Sequence, residues 1–541
     1  MNLKSVTAAK AYAYDMVFRN AEIYDGSGNE SFVADVGIKN GKITAVGTDL
    51  ELGRAEKDCR GLCLAPGFVD VHTHSDYQMF VDQCRLCKLM QGVTFEIGGQ
   101  CGWSRGVVTE DIERVSYDYL QAANNDGRPL RLYTTYDEML EDMQRVCPGT
   151  HQLTFVGHHL LRADAVGVEN RAPTPAELQK MKDLLAQALR DGAPGFSTGL
   201  VYAPGCYAET EELIELAKVC ASYGGIYTTH MRDEADRLLD SVREVIRIAK
   251  ESGVRVNISH FKVMYRHNLP QLEQAIRLIE QANSEGCDIF FDFYPYEACS
   301  ATLLSTLPPS YLSRGIDWLV DELSTAEGIR RLENAILHPT ERWENPLLNA
   351  GFDKDMIAVA ENTPDAEGKT IREYALQKGM TDTEAYAYII RENRGVVTDI
   401  RFTMFEDSLK TLCRHPLSMI GTDGLYSGEG KMTHPRGFGS FPRYLGRLVR
   451  DKGFLPLCEA VRRITGLPAD TYRLKDKGYI RVGYDADLVL FDKNTVIDGA
   501  TYTDPFVPNR GIEAVFVLGQ AAVVNNIPTG VYNGRMYKAN R

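Results

Sequence analysis

Phe68-Val69-Asp70-Val71-His72-Thr73-His74 is an apolar strand that ends in a His-x-His pair. Residues two apart on a strand share a face, so His72 and His74 point the same way at the end of a buried strand. Two imidazoles side by side supply one side of a transition metal's coordination shell. A purely structural pair is the bland alternative, but two adjacent core histidines are costly to satisfy.

Other metal-capable residues recur where strands end. The run from Gly92 to Gly99 reads as a strand, and Cys101 follows it. Ile226–His230 and Val256–His260 both end in histidine, and Leu417–Asp423 ends in aspartate. His230 and His260 lie one βα unit apart, which puts them at the same end of neighbouring parallel strands. Packing explains any one of these residues. It does not explain His72, His74, Cys101, His230, His260 and Asp423 all standing at carboxyl-terminal strand ends.

Strand patterns fall at 67–73, 92–98, 152–158, 193–199, 226–230, 255–260, 288–294 and 417–423, with helical patterns between most of them. Thr174-Pro175-Ala176-Glu177 opens one helix with a capping box and proline at its first position. Leu272, Ile276 and Ile279 make an apolar stripe on another. Eight βα units predict an α/β fold of the (β/α)8 TIM-barrel type, with its active site at the carboxyl ends of the strands. The barrel region, 66–470, exceeds the usual ~250 residues. Much of the excess lies between strands seven and eight, where 298–360 reads as a lid insertion. Residues 13–65 instead alternate short strands and turns, including Asn40-Gly41, suited to a type I′ hairpin. The carboxyl-terminal region returns to that style. Residues 1–65 and 471–541 are therefore read as one small β-sandwich domain formed from both chain ends.

The net charge of -14 argues against nucleic acid or an anionic membrane as partner. No run of about eighteen apolar residues suggests a transmembrane helix. The first dozen residues, broken by Lys4 and Lys10, read as a tail rather than a signal peptide. The 12 scattered cysteines fit free thiols in a cytoplasmic protein. Cys84-x-x-Cys87 has no second CxxC to complete a zinc knuckle, and helical spacing puts both on one buried face.

The chain resembles the amidohydrolase superfamily, and within it the D-aminoacylase (N-acyl-D-amino-acid deacylase) family. The resemblance covers nearly the whole chain. It rests on Ala65–Asp76, Gly102-Trp103-Ser104, Gly195–Pro204, Thr229–Glu234, Ile258–Lys262, Asp292–Tyr296, Ile420–Gly424 and His434-Pro435-Arg436. Cys101 is the discriminating residue, since most binuclear relatives use a carboxylated lysine. The resemblance implies a zinc held tightly by Cys101, His230 and His260, with His72, His74 and Asp423 framing a second, weaker site. Three protein ligands leave a position for water, the catalytic arrangement.

The implied reaction is zinc-dependent hydrolysis of N-acyl-D-amino acids, with zinc-bound water as nucleophile and Asp423 as general acid/base. The substrate's carboxylate needs cations and hydroxyls. Lys262 and Arg436 match the family's carboxylate-binding positions, with Tyr202 and one tyrosine of the Tyr294/Tyr296 pair beside them. His158-His159 stands where relatives commonly show His-Gly, so the pocket wall differs. Two extra residues separate Asp423 from Arg436, which bears on where the guanidinium sits. A cyclic amidase of the hydantoinase or dihydropyrimidinase type shares the barrel, but it wants a bridging lysine on strand four, and Gly195–Leu200 has none. A non-catalytic protein on this fold would lose its ligands, and here all are present.

Overall fold

In the computed structural model, which describes residues 12–78, 82–109, 132–146, 148–426 and 430–540, eight parallel strands surround a common axis. They are β1 (Phe68–Asp70), β2 (Val93–Gly98), β3 (His151–Thr154, resumed at Val156–Gly157), β4 (Gly195–Gly199), β5 (Ile226–His230), β6 (Arg255–Ile258), β7 (Ile289–Phe293) and β8 (Ser418–Ile420). Each pairs in parallel with the next, except that β8 follows β7 only after a long insertion. Phe155 N donates to Gly98 O at 3.0 Å across the break in β3. Asp423 N donates to His72 O at 2.7 Å, and a parallel bridge between Thr73 and Gly424 closes β8 onto β1. The strands are buried on both faces, as near-continuous apolar runs require. The sheet is the (β/α)8 barrel that the strand spacing predicts. Residues 1–11, Cys147 and the side chain of Cys84 lie outside the described residues.

The connecting helices follow their local signals. Pro175–Asp191 begins with the full capping box: Glu177 N donates to Thr174 Oγ1 at 3.3 Å, and Thr174 N donates to Glu177 Oε2 at 2.6 Å. It ends at Gly192, whose φ of 110° is the left-handed cap that glycine allows. Leu272, Ile276 and Ile279 of Leu269–Ser284 are buried against the barrel.

Both chain ends enter a single nine-stranded sheet. Cys63–Pro66 runs antiparallel to Leu488–Phe491, which joins the amino-terminal strands to the carboxyl-terminal ones. Phe18 and Phe516 meet edge to face at 5.0 Å in its core. Asn40 and Gly41, with φ of 52° and 75°, form the tight turn between Phe32–Lys39 and Lys42–Gly47.

The insertion between β7 and β8 extends beyond the 298–360 read from sequence. Its antiparallel sheet consists of Cys299–Thr302, Asp355–Val359 and Thr398–Arg401, with the last strand in the middle. That central strand was illegible because it is four residues long and carries Asp399 and Arg401. Leu303, Leu332, Tyr386 and Ile390 build a core of its own, which Ala203 and Tyr207 from the loop after β4 join. The insertion is thereby seated on the barrel's carboxyl-terminal mouth.

Candidate metal centre

The carboxyl ends of β1, β2, β5, β6 and β8 converge on one buried cluster. Cys101 Sγ lies 3.3 Å from His72 Nε2 and 3.3 Å from His260 Nε2. Asp423 Oδ1 lies 3.1 Å from His74 Nε2 and 3.5 Å from His72 Nε2. His72, Cys101, His260 and Asp423 offer donor atoms within 4.8 Å of one another, and His230 and His260 do so with Glu234. All six ligand candidates are buried, and they come together.

The chain holds this cluster under strain. Cys101, His260 and Asp423 have φ of 53°, 36° and 47°, a left-handed backbone that costs of order 1–3 kcal/mol per residue outside glycine. The Cys101 loop is clamped from three strands. Ser197 Oγ of β4 donates to Gly99 O at 2.5 Å and accepts from Gly102 N at 3.0 Å. Gln100 Nε2 donates to Val71 O at 3.1 Å, and Thr228 of β5 donates to Gln100 Oε1 at 2.9 Å. The flanking glycines admit protein rather than ligand: a Cβ on Gly99 would lie 2.3 Å from Phe155 O, and one on Gly102 2.8 Å from the His159 ring.

The cluster fits a cationic metal. His230 Nδ1 is buried without a hydrogen-bond partner among the described residues, and its Nε2 has Glu234 Oε2 as an ionic neighbour at 3.4 Å. Burial pushes the Cys101 thiol up, but His72 and His260 outweigh it and hold the thiol well below its ordinary range. Burial likewise opposes ionisation of Asp423, yet Arg436 and His260 keep it well below the usual carboxylate range. Thiolate, imidazole and carboxylate are the donor set of a catalytic zinc site.

Carboxylates behind the ligands orient them, a role sequence reading missed. Asp292 Oδ1 lies 3.5 Å from His72 Nδ1 and accepts from His260 N at 2.9 Å. Glu234 lies 3.2 Å from His260 Nδ1 and 2.5 Å from Lys262 Nζ. Burial opposes its ionisation, while Lys262, His230 and His260 bring its pKa to about 2. Such carboxylate–histidine contacts fix the ring orientation of metal ligands. The signal was present in Glu234 standing four residues after His230 and Asp292 interrupting the apolar strand β7.

Arg436 Nη1 stands 2.8 Å from Asp423 Oδ2 despite the two extra residues between them, and Nη2 donates to Ser300 O at 2.9 Å. The Tyr294 ring lies between the cations, 4.7 Å from the Arg436 guanidinium and 5.8 Å from Lys262 Nζ. Tyr296 turns away, its hydroxyl 3.4 Å from Pro435 O and its ring 4.5 Å from Arg443. Tyr202 packs edge-on to His230 at 5.1 Å. His159 stands behind it, bonded to Gly199 O at 3.0 Å, and burial lowers its pKa to about 3, so it is a neutral wall. His158 points elsewhere, to Glu212 at 2.8 Å.

Beneath the cluster, Lys88 ties β1 to β8. Its Nζ reaches Asp70 Oδ2 at 2.5 Å, Thr73 Oγ1 at 2.8 Å and Thr422 Oγ1 at 2.6 Å, all buried. Lys88→Met leaves Asp70 charged and uncompensated in the core, so a loss of about 3–5 kcal/mol is expected. Calorimetry reads this as earlier melting; an unchanged melting temperature would show that the pair contributes nothing.

A barrel with His-x-His, cysteine and aspartate donors at its carboxyl-terminal mouth defines a metal-dependent amidohydrolase, and the Amidohydrolase family profile matches residues 349–523. The chain is 32% identical to a D-aminoacylase of Alcaligenes xylosoxydans xylosoxydans, over 97% of each chain. It is 32% identical to an N-acyl-D-glutamate deacylase of the same organism, over 97% of this chain and 96% of the relative. The crystal structure of N-acyl-D-glutamate deacylase from Bordetella bronchiseptica, complexed with zinc and a phosphonate mimic of the tetrahedral intermediate, superposes with a TM-score of 0.82. That match has 31% identity and covers 97% of this chain and all of the other. The chain belongs to the D-aminoacylase family of amidohydrolases.

Proposed function

We propose that this enzyme hydrolyses the amide bond of N-acyl-D-amino acids, releasing a carboxylic acid and a free D-amino acid. The observation that carries the reading is Cys101 held between His72 and His260, with His230 beside them 3.4 Å from Glu234. The zinc-bound deacylase structure that the chain resembles supports it.

Cys101, His230 and His260 would hold one zinc tightly, and His72, His74 and Asp423 a second more weakly. Bound zinc supplies a polarised amide carbonyl and acidifies water towards a pKa of about 7. Asp423, ionised and facing the cluster, takes up the proton of the attacking water and returns it to the leaving nitrogen. Arg436 and Lys262, with Tyr294 between them, hold the substrate carboxylate. A carboxylate drawn to Arg436 competes with Asp423 for the guanidinium, which raises the proton affinity of Asp423 only when substrate is bound. Tyr202 lines the opposite wall beside His230. The cyclic-amidase alternative has no support on β4, where a Cβ on Gly199 would lie 2.3 Å from Cys101 O and leave little room for a bridging lysine.

The reading extends to the rest of the chain. The segments 1–65 and 471–541 act as one β-domain around a catalytic barrel at 66–470. Small molecules rather than nucleic acid or membrane are the partners; among the described residues no helix is long and apolar enough to cross a membrane. The free thiols support a cytoplasmic location.

A panel of N-acyl-D, N-acyl-L and five- and six-membered cyclic amides tests the activity. Turnover of N-acyl-D substrates is expected, and faster turnover of the L or cyclic compounds than of every D substrate would overturn it. Arg436→Met, which also strips Asp423 of its counter-charge, is expected to lower kcat/KM for free acids about 100-fold more than for the matching amides. Equal losses on both would remove Arg436 from carboxylate recognition.

A further inference from the structure

We infer that this site, if it is the deacylase proposed above, takes N-acyl-D-amino acids with uncharged side chains, the α-carboxylate being the substrate's single anion. The relatives include a D-aminoacylase and an N-acyl-D-glutamate deacylase, and equal identity to both leaves the substrate's side chain open. The pairing of buried charges decides it.

One seat for a carboxylate is built. Arg436 is 1% exposed, its Nε lacks a hydrogen-bond partner among the described residues, and its Nη1 pairs with Asp423 Oδ2 at 2.8 Å. With Nε unpartnered and Nη1 faced by Asp423 alone among the described residues, this buried guanidinium, over the face of Tyr294, is open to one carboxylate.

Among the described residues a second seat is not. Arg401, on the central strand of the insertion and within electrostatic reach of the Tyr202 hydroxyl, is closed by its own acid. Its Nε donates to Asp399 Oδ2 at 2.8 Å, and its Nη2 donates to Asp399 Oδ1 at 3.3 Å and to Ser305 Oγ at 2.6 Å. Lys262, shared with Glu234 at 2.5 Å, is already taken by the α-carboxylate in the proposed binding mode, Lys88 is held by Asp70, and Arg105 Nε donates to Asp76 O at 2.8 Å. Carboxyl groups, by contrast, are in excess. Both oxygens of buried Asp355 lack a hydrogen-bond partner among the described residues, the nearer one 4.0 Å from Arg401 Nε. Glu344 reaches from the insertion to accept from Glu234 N at 2.7 Å. Burial pushes both acids up, Glu344 to about 8, and neither supplies a positive charge for an incoming carboxylate. The wall beside the guanidinium is uncharged: Tyr294 Oη meets Met404 Sδ at 3.7 Å. A side-chain carboxylate would enter unpaired, the costly case.

The test is kcat/KM for N-acetyl-D-methionine, -leucine, -aspartate and -glutamate on the zinc-loaded full chain. The best neutral substrate is expected to exceed both acidic ones by about 100-fold or more. An acidic substrate within tenfold of it overturns the inference alone, whereas no turnover of any D substrate overturns it together with the deacylase reading. Asp399→Asn releases Arg401 and is expected to raise the glutamate-to-methionine ratio about tenfold or more. An unchanged ratio in the folded variant overturns the argument from Arg401. If that variant does not fold, the wild-type panel decides.

Discussion

Cys101→Ala is expected to lose most of the bound zinc and more than about 1,000-fold in kcat/KM. The thiolate is the one anionic donor of the proposed tight site. Without it His230 and His260 keep two neutral nitrogens, which hold zinc far less well than three ligands with a thiolate among them. The change is small in volume, and Cys101 is 3% exposed, so the fold should survive it. A companion variant sharpens the reading. Cys101 sits at φ 53°, so Cys101→Gly removes left-handed strain along with the ligand. It should be no less stable than Cys101→Ala while binding zinc equally poorly. Metal analysis after gel filtration, read beside kcat/KM, checks both. Full zinc retention in Cys101→Ala would take Cys101 out of the site.

The barrel was legible because a parallel sheet covered on both faces writes its strands as apolar runs, and each of the eight patterns matches an observed strand. The ligand candidates were legible for the same reason, since a histidine, cysteine or aspartate that ends such a run must face the mouth of the barrel. The groups that support them were not. Lys88, Glu234 and Asp292 are charged, and sequence patterning assigns charge to the surface. Only the coordinates show that each is buried against a partner of complementary chemistry, in the case of Lys88 334 positions away at Thr422. The tyrosines show another limit. Residues 294 and 296 would share a face on a strand, but β7 ends at Phe293, so alternation no longer governs them and they part to Arg436 and Arg443. The glycines around Cys101 mark a close approach whose partner the sequence does not name. They make room for the Phe155 backbone and the His159 ring, a distinction composition does not carry.

Asp423→Asn is expected to lower kcat by about 10²–10⁴-fold with zinc content and fold retained. The amide is isosteric with the carboxylate, so the 3.1 Å contact to His74 and the 2.7 Å backbone bond from residue 423 to His72 O can persist. What the variant lacks is a group that takes up a proton and gives it back to the leaving nitrogen. Its effect on KM separates this role from a structural one. In the parent, Asp423 Oδ2 faces the Arg436 guanidinium, for which the substrate carboxylate would compete in the proposed binding mode. Removing the negative charge leaves Arg436 to the substrate, so KM should stay level or fall while kcat collapses. Arg436 loses its buried counter-charge at the same time, so the free enzyme should melt earlier and regain stability with a bound N-acyl-D-amino acid. Steady-state kinetics on the zinc-loaded variant, with melting measured with and without substrate, reads all three. A kcat within tenfold of the parent would move the proton transfer to another residue, and a KM raised in step with the loss of kcat would make Asp423 a binding group instead.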